Sequence, residues 1–161
     1  MTVSFRNVDV PSGAPPSAWP YEAIVTTIER GLVADWAVLT REIRREPWCP
    51  VARRVEEYLS REHPPGVGPL LERAISGARA EAEAAERAEV AREVDDLVHR
   101  SGLTSRDFAE RIGTSASRLS TYRSGKVTPS AALVVRMRRC VEQVGEGGGS
   151  LAGMRRWGDA G

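Results

Sequence analysis

The chain has 161 residues, of which 41% are hydrophobic and 28% charged, and its formal net charge at pH 7 is +1. This composition is typical of a soluble globular protein with one compact domain or two small ones. The two cysteines, Cys49 and Cys140, lie far apart without a CxxC or Cys/His cluster, and no apolar run reaches about 18 residues. We therefore expect a cytoplasmic protein with no export signal, membrane span, disulfide framework, metal site or cofactor.

The charge is distributed unevenly along the chain. Residues 100–143 contain nine Arg or Lys against three Asp or Glu, a net charge of +6. The rest of the chain contains 14 against 19, a net charge of −5. A basic segment on an acidic body predicts a polyanionic partner for the C-terminal part alone.

Residues 1–18 are predicted to form an extended arm, because "VPSGAPPSAWP" is too rich in proline for a helix. We expect Phe5, Val8 or Trp19 to pack this arm onto the body. Residues 19–65 contain three segments with apolar side chains at helical spacing, separated by Gly31 and by "EPWCP". They predict a three-helix unit, with Trp36 and Trp48 in its core, that serves dimerisation or binds a partner.

Residues 66–100 predict one long connecting helix rich in alanine and glutamate. Its middle, residues 78–88, offers only alanine as an apolar face, so it either packs closely against another helix or stands in solvent. Gly77 is the weakest point of this helix, at a cost of about 1 kcal/mol relative to alanine. No strand-like alternation of useful length occurs along the chain, and the predicted fold class is all-α.

Residues 101–143 predict a helix-turn-helix domain with three short amphipathic helices. Thr104 or Ser105 can cap the first helix and Ser115 the second, while Pro129 is expected to open the third. Gly113 and Gly125 stand where left-handed turns are needed. The inward-facing residues are expected to be Phe108, Ala109, Ile112, Leu119, Tyr122, Leu133, Val134 and Met137. Residues 144–161, which include "GEGGGSLAG", predict a flexible Gly-rich tail.

This segment resembles the Xre/Cro-like helix-turn-helix family of phage and bacterial repressors over roughly residues 90–143. The resemblance lies in "FAERIGTS", in "LSTY", and in "SGK" followed by Pro129, in the order and spacing of that family. It implies that the positions facing bases in the DNA major groove are Ser115, Ala116, Ser117 and Thr121. The implied contacts to the DNA backbone are Thr104, Ser105, Arg118, Arg123, Ser124 and Lys126.

The sequence departs from the family pattern at two places. The family often has an acidic residue where Arg123 stands, and a long amide where Ala116 or Ser117 stands. Bidentate recognition of adenine needs Asn or Gln, so contact of Ala116 or Thr121 with thymine methyl groups, or readout of DNA shape, would replace it. Arg136, Arg138 and Arg139 form either a solvated helix face or a clamp on phosphate.

Two functions are compatible with this organisation. The first is a sequence-specific transcriptional regulator of double-stranded DNA, an autoregulating repressor that binds paired half-sites as a homodimer. The alternative is an antitoxin-like adaptor, whose N-terminal unit neutralises a partner protein while the helix-turn-helix controls the operon. An enzyme is not expected, since the sequence offers no catalytic residues, neither a Ser/His/Asp or Cys/His set nor a phosphate-binding glycine loop.

Overall fold

A computed structural model describes the chain from residue 14 to residue 150, with the side chains described as far as residue 146. A single 3-10 turn, Pro16–Ala18, precedes seven α-helices in this part of the chain. They are α1 (Tyr21–Arg30), α2 (Val33–Arg45), α3 (Pro50–Arg61), α4 (Val67–Ser101), α5 (Ser105–Ile112), α6 (Ala116–Arg123) and α7 (Ala131–Ser150). Since residues 14–150 contain no strand, the all-α prediction is confirmed.

The chain divides into two compact units, residues 1–83 and residues 84–161. The N-terminal unit packs α1, α2, α3 and the first part of α4 around one apolar core, whose fully buried members include Ile24, Leu39, Ile43, Val55 and Leu71. Trp19 is buried at the edge of this core, as expected, and its indole Nε1 donates to the carbonyl of Ala14 at 2.9 Å.

Polar contacts connect the helices of the N-terminal unit. The Arg79 guanidinium on α4 forms two hydrogen bonds with the Glu56 carboxylate on α3, at 2.6 and 2.9 Å, and this contact raises the pKa of Arg79. The Tyr58 hydroxyl on α3 donates to Glu29 on α1 at 3.3 Å. Burial, and then the nearby Glu29 carboxylate, raise the pKa of Tyr58 above its ordinary value.

The C-terminal unit has a separate core formed by the end of α4 and by α5, α6 and α7. Its buried residues are Val94, Leu97, Val98, Phe108, Ala109, Ile112, Leu119, Tyr122, Leu133, Met137 and Cys140. The inward positions predicted for α5 and α6 are therefore confirmed, and Leu133 and Met137 are buried on α7, while Val134 is only partly buried.

Helix α4 contributes to both cores through different residues. Leu71, Ile75 and Ala78 belong to the N-terminal core, whereas Val94, Leu97 and Val98 belong to the C-terminal core. Between them, residues 83–89 are all exposed. Within this single chain, the alanine-rich middle of the helix is therefore exposed over most of its length, while Ala78 belongs to the N-terminal core.

Three details differ from expectation. Trp48 is 47% exposed, not a core residue, because the turn between α2 and α3 buries its neighbours Pro47 and Cys49 instead. Pro129 does not open helix α7, which begins after Ser130, and the Ser130 hydroxyl caps it by accepting the Leu133 N–H at 3.3 Å. The same helix continues to Ser150, whereas a tail was predicted from residue 144.

Some expectations fall on residues that are not described. Phe5 and Val8 of the predicted arm lie outside the described residues, as does the tail from residue 151. From residue 14 to residue 150, no helix is both long and apolar enough to serve as a membrane span.

Candidate nucleic-acid interface

The turn between α5 and α6 has the geometry that its sequence predicts. Gly113 ends α5 with φ at +76°, a left-handed conformation that costs glycine little, and Gly125 after α6 has φ at +70°. The Thr114 N–H returns to the Ala109 carbonyl at 2.9 Å. The Ser115 hydroxyl then accepts the Arg118 N–H at 3.2 Å, and this cap starts α6 in a new direction.

Helix α6 has an apolar side and a polar side. Leu119 and Tyr122 are buried against the rest of the unit. The exposed positions on and just before the helix are Ser115, Ala116, Ser117, Arg118, Ser120 and Arg123. Helix α6 contains no acidic residue, and its first turn presents only short side chains and one arginine. Because most of these side chains are short, the helix backbone can approach another molecule closely.

The hydroxyl groups assigned to the interface mostly have local partners. Thr104 caps α5, since its hydroxyl accepts the Asp107 N–H at 3.2 Å and donates to the Asp107 carboxylate at 2.6 Å. Thr121 is half-buried and donates to the Arg118 carbonyl at 2.7 Å. Ser124 in turn donates to the Thr121 carbonyl at 3.2 Å. Each of these hydroxyls already donates its proton to a group of the protein, but its oxygen can still accept a hydrogen bond from another molecule.

Arg123 is held by a carboxylate that sequence reasoning did not associate with it. Its guanidinium lies 2.6 Å from an oxygen of Asp95 on α4, and it also donates to the Ser105 hydroxyl at 3.0 Å. Three helices of the unit therefore meet at Arg123. The hydrogen bond between Arg123 and Ser105 brings together two of the residues that were predicted to contact the DNA backbone. Asp95 is 28 residues away in sequence, and no local pattern relates it to α6.

Other cations of the basic segment also have partners on α4. Arg138 lies 2.5 Å from Glu93, and Arg100 lies 3.5 Å from Asp96. With Arg123, three of the nine cations of residues 100–143 are paired in this way. The local charge available to a partner is therefore smaller than the sequence count of +6 suggests.

The remaining arginines of α7 differ from one another. Arg136 donates from Nη1 to the Ile112 carbonyl at 3.0 Å, and so caps the last turn of α5. Arg138 is paired with Glu93, and Arg139 is exposed. These contacts favour a structural and solvated α7 surface over a clamp on phosphate.

Two cations assigned to the interface keep their charge uncompensated. Arg118 on α6 and Lys126 after it are both exposed, and no carboxylate of the described residues forms an ion pair with either. They lie at the two ends of α6, separated by the exposed Ser120. The charge of the interface therefore comes from Arg118 and Lys126 more than from Arg123.

The described residues of this unit include potential metal ligands and reactive side chains. No group of three or more His, Cys, Asp or Glu side chains between residues 14 and 146 is placed to hold a metal ion. Cys140 is buried and His99 is exposed. Comparison of the chain with protein-family models, curated proteins and solved structures finds no match. The resemblance to the Xre/Cro-like family therefore depends on the motif residues themselves.

Proposed function

We propose that this protein binds double-stranded DNA in a sequence-dependent manner and regulates transcription through α5 and α6. The observation that carries the proposal is the exposed side of α6, which contains small polar side chains and no acid, and which has two uncompensated cations, Arg118 on the helix and Lys126 after it. A recognition helix needs such a surface, because it must enter the major groove while its flanks meet phosphates.

Phosphate contact is assigned to Arg118, Lys126 and the N-terminal end of α6. The first backbone N–H groups of a helix attract anions, and the absence of an acidic residue in the first turn of α6 leaves this attraction uncompensated. Thr104 and Ser105, at the start of α5, are assigned a weaker role in positioning. Arg123 contributes only when its contact with Asp95 is exchanged for a phosphate.

Base contact is assigned to Ser115, Ala116, Ser117 and Thr121. None of these side chains can make the bidentate contacts that discriminate most strongly between bases. The methyl groups of Ala116 and Thr121 suit the thymine methyl group, and the remaining selectivity is expected from DNA shape. A single unit of this size covers too little DNA for tight selection, so two copies on paired half-sites are proposed.

The regulatory consequence is repression, since a dimer on a promoter blocks access to it. Autoregulation of the protein's own operon is the simplest form of such control. The proposal keeps the cytoplasmic location that the sequence led us to expect.

The proposal is tested by selection from a random duplex library with the full-length protein. The recovered duplex and a scrambled duplex of equal length are then titrated by fluorescence anisotropy at two salt concentrations. Recovery of a two-fold symmetric motif, bound more tightly than the scrambled duplex at both salt concentrations, is the expected result. Equal and weak binding to both duplexes, with no motif recovered, would overturn the proposal.

A further inference from the structure

An open groove runs between α2 and α4 in the N-terminal unit and is not explained by DNA binding. Its volume is about 620 Å³. The residues that form its apolar surface include Val33, Trp36, Leu70, Ala74, Gly77 and Ala78. On the α4 side, the small residues Ala74, Gly77 and Ala78 lie between Arg73 and Glu81, so the backbone of this helix is accessible to another helix at close range around Gly77.

Gly77 has no role that the N-terminal unit itself requires. A Cβ atom built at Gly77 would have no neighbouring atom within 4 Å, and Gly77 is not among the glycines with positive φ. Glycine in a helix interior costs about 1 kcal/mol relative to alanine. Because neither the packing nor the backbone of the unit needs this glycine, its use fits the close approach of a further helix.

One part of the groove's border is apolar. Leu32 and Val33 at the start of α2 are 74% and 72% exposed, and Leu70 on α4 is 45% exposed. Val33 and Leu70 line the groove, and Leu32 is the chain neighbour of Val33. Isolated exposed leucines are ordinary, but several around one groove mark a contact surface.

Three charged residues line the groove, Arg44 on α2 and Arg73 and Glu81 on α4, and the two on α4 are placed symmetrically about Gly77. Arg73 lies four residues before Gly77 and Glu81 four residues after it. At a rise of 1.5 Å per residue, each lies about 6 Å along the helix from Gly77. An antiparallel α4 of a second copy, related by a two-fold axis at Gly77, would bring Glu81 of that copy level with Arg73. The same pair would recur on the other side of the axis.

We propose that the groove is occupied by a second copy of this chain, with the two α4 helices antiparallel and crossing at Gly77. Neither Arg73 nor Glu81 has an ion-pair partner among the described residues. The symmetric placement of one cation and one anion about the glycine favours a second copy, since a different partner would need no such symmetry. The inference deepens the proposed function by naming the surface that joins two DNA-binding units, but the association itself requires no DNA.

The first test measures the mass of the full-length protein by sedimentation equilibrium without DNA. The wild type is expected at twice the chain mass of 17.6 kDa. Gly77→Leu fills the crossing point and is expected to sediment as a monomer, with a helix content no lower than that of the wild type. Ser76→Leu is the matched control, because Ser76 is exposed and does not line the groove, and it is expected to remain a dimer.

The second test exchanges charges across the proposed axis. Arg73→Glu and Glu81→Arg are each expected to raise the dimer dissociation constant by roughly tenfold or more, because like charges then meet twice. An equimolar mixture of the two variants restores opposite charges at both positions and is expected to recover dimers. This recovery is specific to an antiparallel pairing of Arg73 with Glu81.

The outcomes separate this inference from the proposed function. A monomeric wild type, a dimer unaffected by Gly77→Leu, or a failure of the mixed variants to associate would overturn the groove assignment. DNA selectivity is measured independently, so a dimer of the predicted kind without selective DNA binding would contradict only the proposed function. Selective DNA binding by a protein that dimerises elsewhere would contradict only the groove assignment.

Discussion

The two units have comparable architecture but expose different chemistry. Each buries apolar faces of four helices or parts of helices, with α4 contributing to both. The N-terminal unit exposes its most accessible large apolar residues, Leu32 and Val33, next to a groove. The C-terminal unit presents short hydroxyl side chains on α6, with an unpaired arginine on the helix and an unpaired lysine just after it. Fold class therefore says little about function in this chain, and it is the exposed surfaces that differ between the two units.

Helix α4 shows how one segment can serve two such units. Its apolar residues cluster near its two ends, and residues 83–89 between them are exposed. Its C-terminal half also provides Glu93 and Asp95, which pair with Arg138 and Arg123. The acidic residues of α4 thus reduce the charge of the basic segment.

The largest expected effect tests whether the two cores are independent. Phe108 is fully buried in the C-terminal core, and Phe108→Ala is expected to destabilise that unit by about 3–5 kcal/mol. Trp19, Trp36 and Trp48 all lie in the N-terminal unit, so in a Trp157→Phe background tryptophan fluorescence reports on that unit alone. The melting transition by circular dichroism should split, while the fluorescence transition stays in place. A parallel shift of both signals would show that the units unfold together.

The next effect concerns the cations that distinguish the C-terminal surface. Arg118→Ala and Lys126→Ala are each expected to weaken binding to all duplexes and to reduce the slope of log K against log salt concentration by about one unit. Arg53→Ala, which removes an exposed arginine from α3, is the matched control and should leave the slope unchanged. Equal slopes for the wild type and the Lys126 variant would remove Lys126 from the interface.

A smaller effect is expected at the contact between Asp95 and Arg123. Because the side chains of Arg123 and Asp95 are 39% and 55% exposed, a double-mutant cycle should give a coupling of only about 0.2–1 kcal/mol for stability. Asp95→Asn frees Arg123 and should strengthen DNA binding, with a salt slope steeper by up to about one unit. In an Arg123→Ala background the same change should have no effect on DNA binding. A gain that persists there would mean that Asp95 acts by simple repulsion of DNA.

The smallest effect lies in the N-terminal unit. The pKa of Tyr58 is raised in the folded protein. The protonated hydroxyl therefore stabilises the fold at pH values below the unfolded pKa of about 10. This stabilisation is lost as the pH rises through the folded pKa. Tyr58→Phe should cost about 1 kcal/mol or less at neutral pH and should weaken this alkaline loss. Melting followed by tryptophan fluorescence at several pH values between 8 and 11 measures both the cost and the alkaline loss of stability. Identical pH profiles for the wild type and the Tyr58→Phe variant would exclude Tyr58 as the cause of the alkaline loss.

Sequence reasoning was most successful where structure depends on neighbouring residues. The caps at Thr104 and Ser115 and the left-handed turns at Gly113 and Gly125 follow from local chemistry, and all four are present. The inward positions of α5 and α6 follow from helical periodicity. Their apolar residues, Phe108, Ala109, Ile112, Leu119 and Tyr122, are all buried.

The same reasoning was weaker where structure depends on distant residues or on irregular turns. The contact between Arg123 and Asp95 joins residues on different helices, and no periodicity relates them. Trp48 lies in a turn, where no repeating pattern indicates which side faces the core. The end of α7 was misplaced because glycine weakens a helix without removing a hydrogen-bond donor, so a glycine-rich composition does not by itself terminate one.

The most direct test of the central claim asks whether the exposed side of α6 meets DNA. Both native cysteines, Cys49 and Cys140, are buried, so a single exposed cysteine introduced by Ser117→Cys can be labelled selectively with a maleimide. Ser60→Cys on α3 is the control in the N-terminal unit. As the selected duplex is added, labelling at position 117 should fall along the binding curve, while labelling at position 60 stays constant. Unchanged labelling at position 117 with the duplex fully bound would contradict the assignment of α6 as the DNA-binding surface.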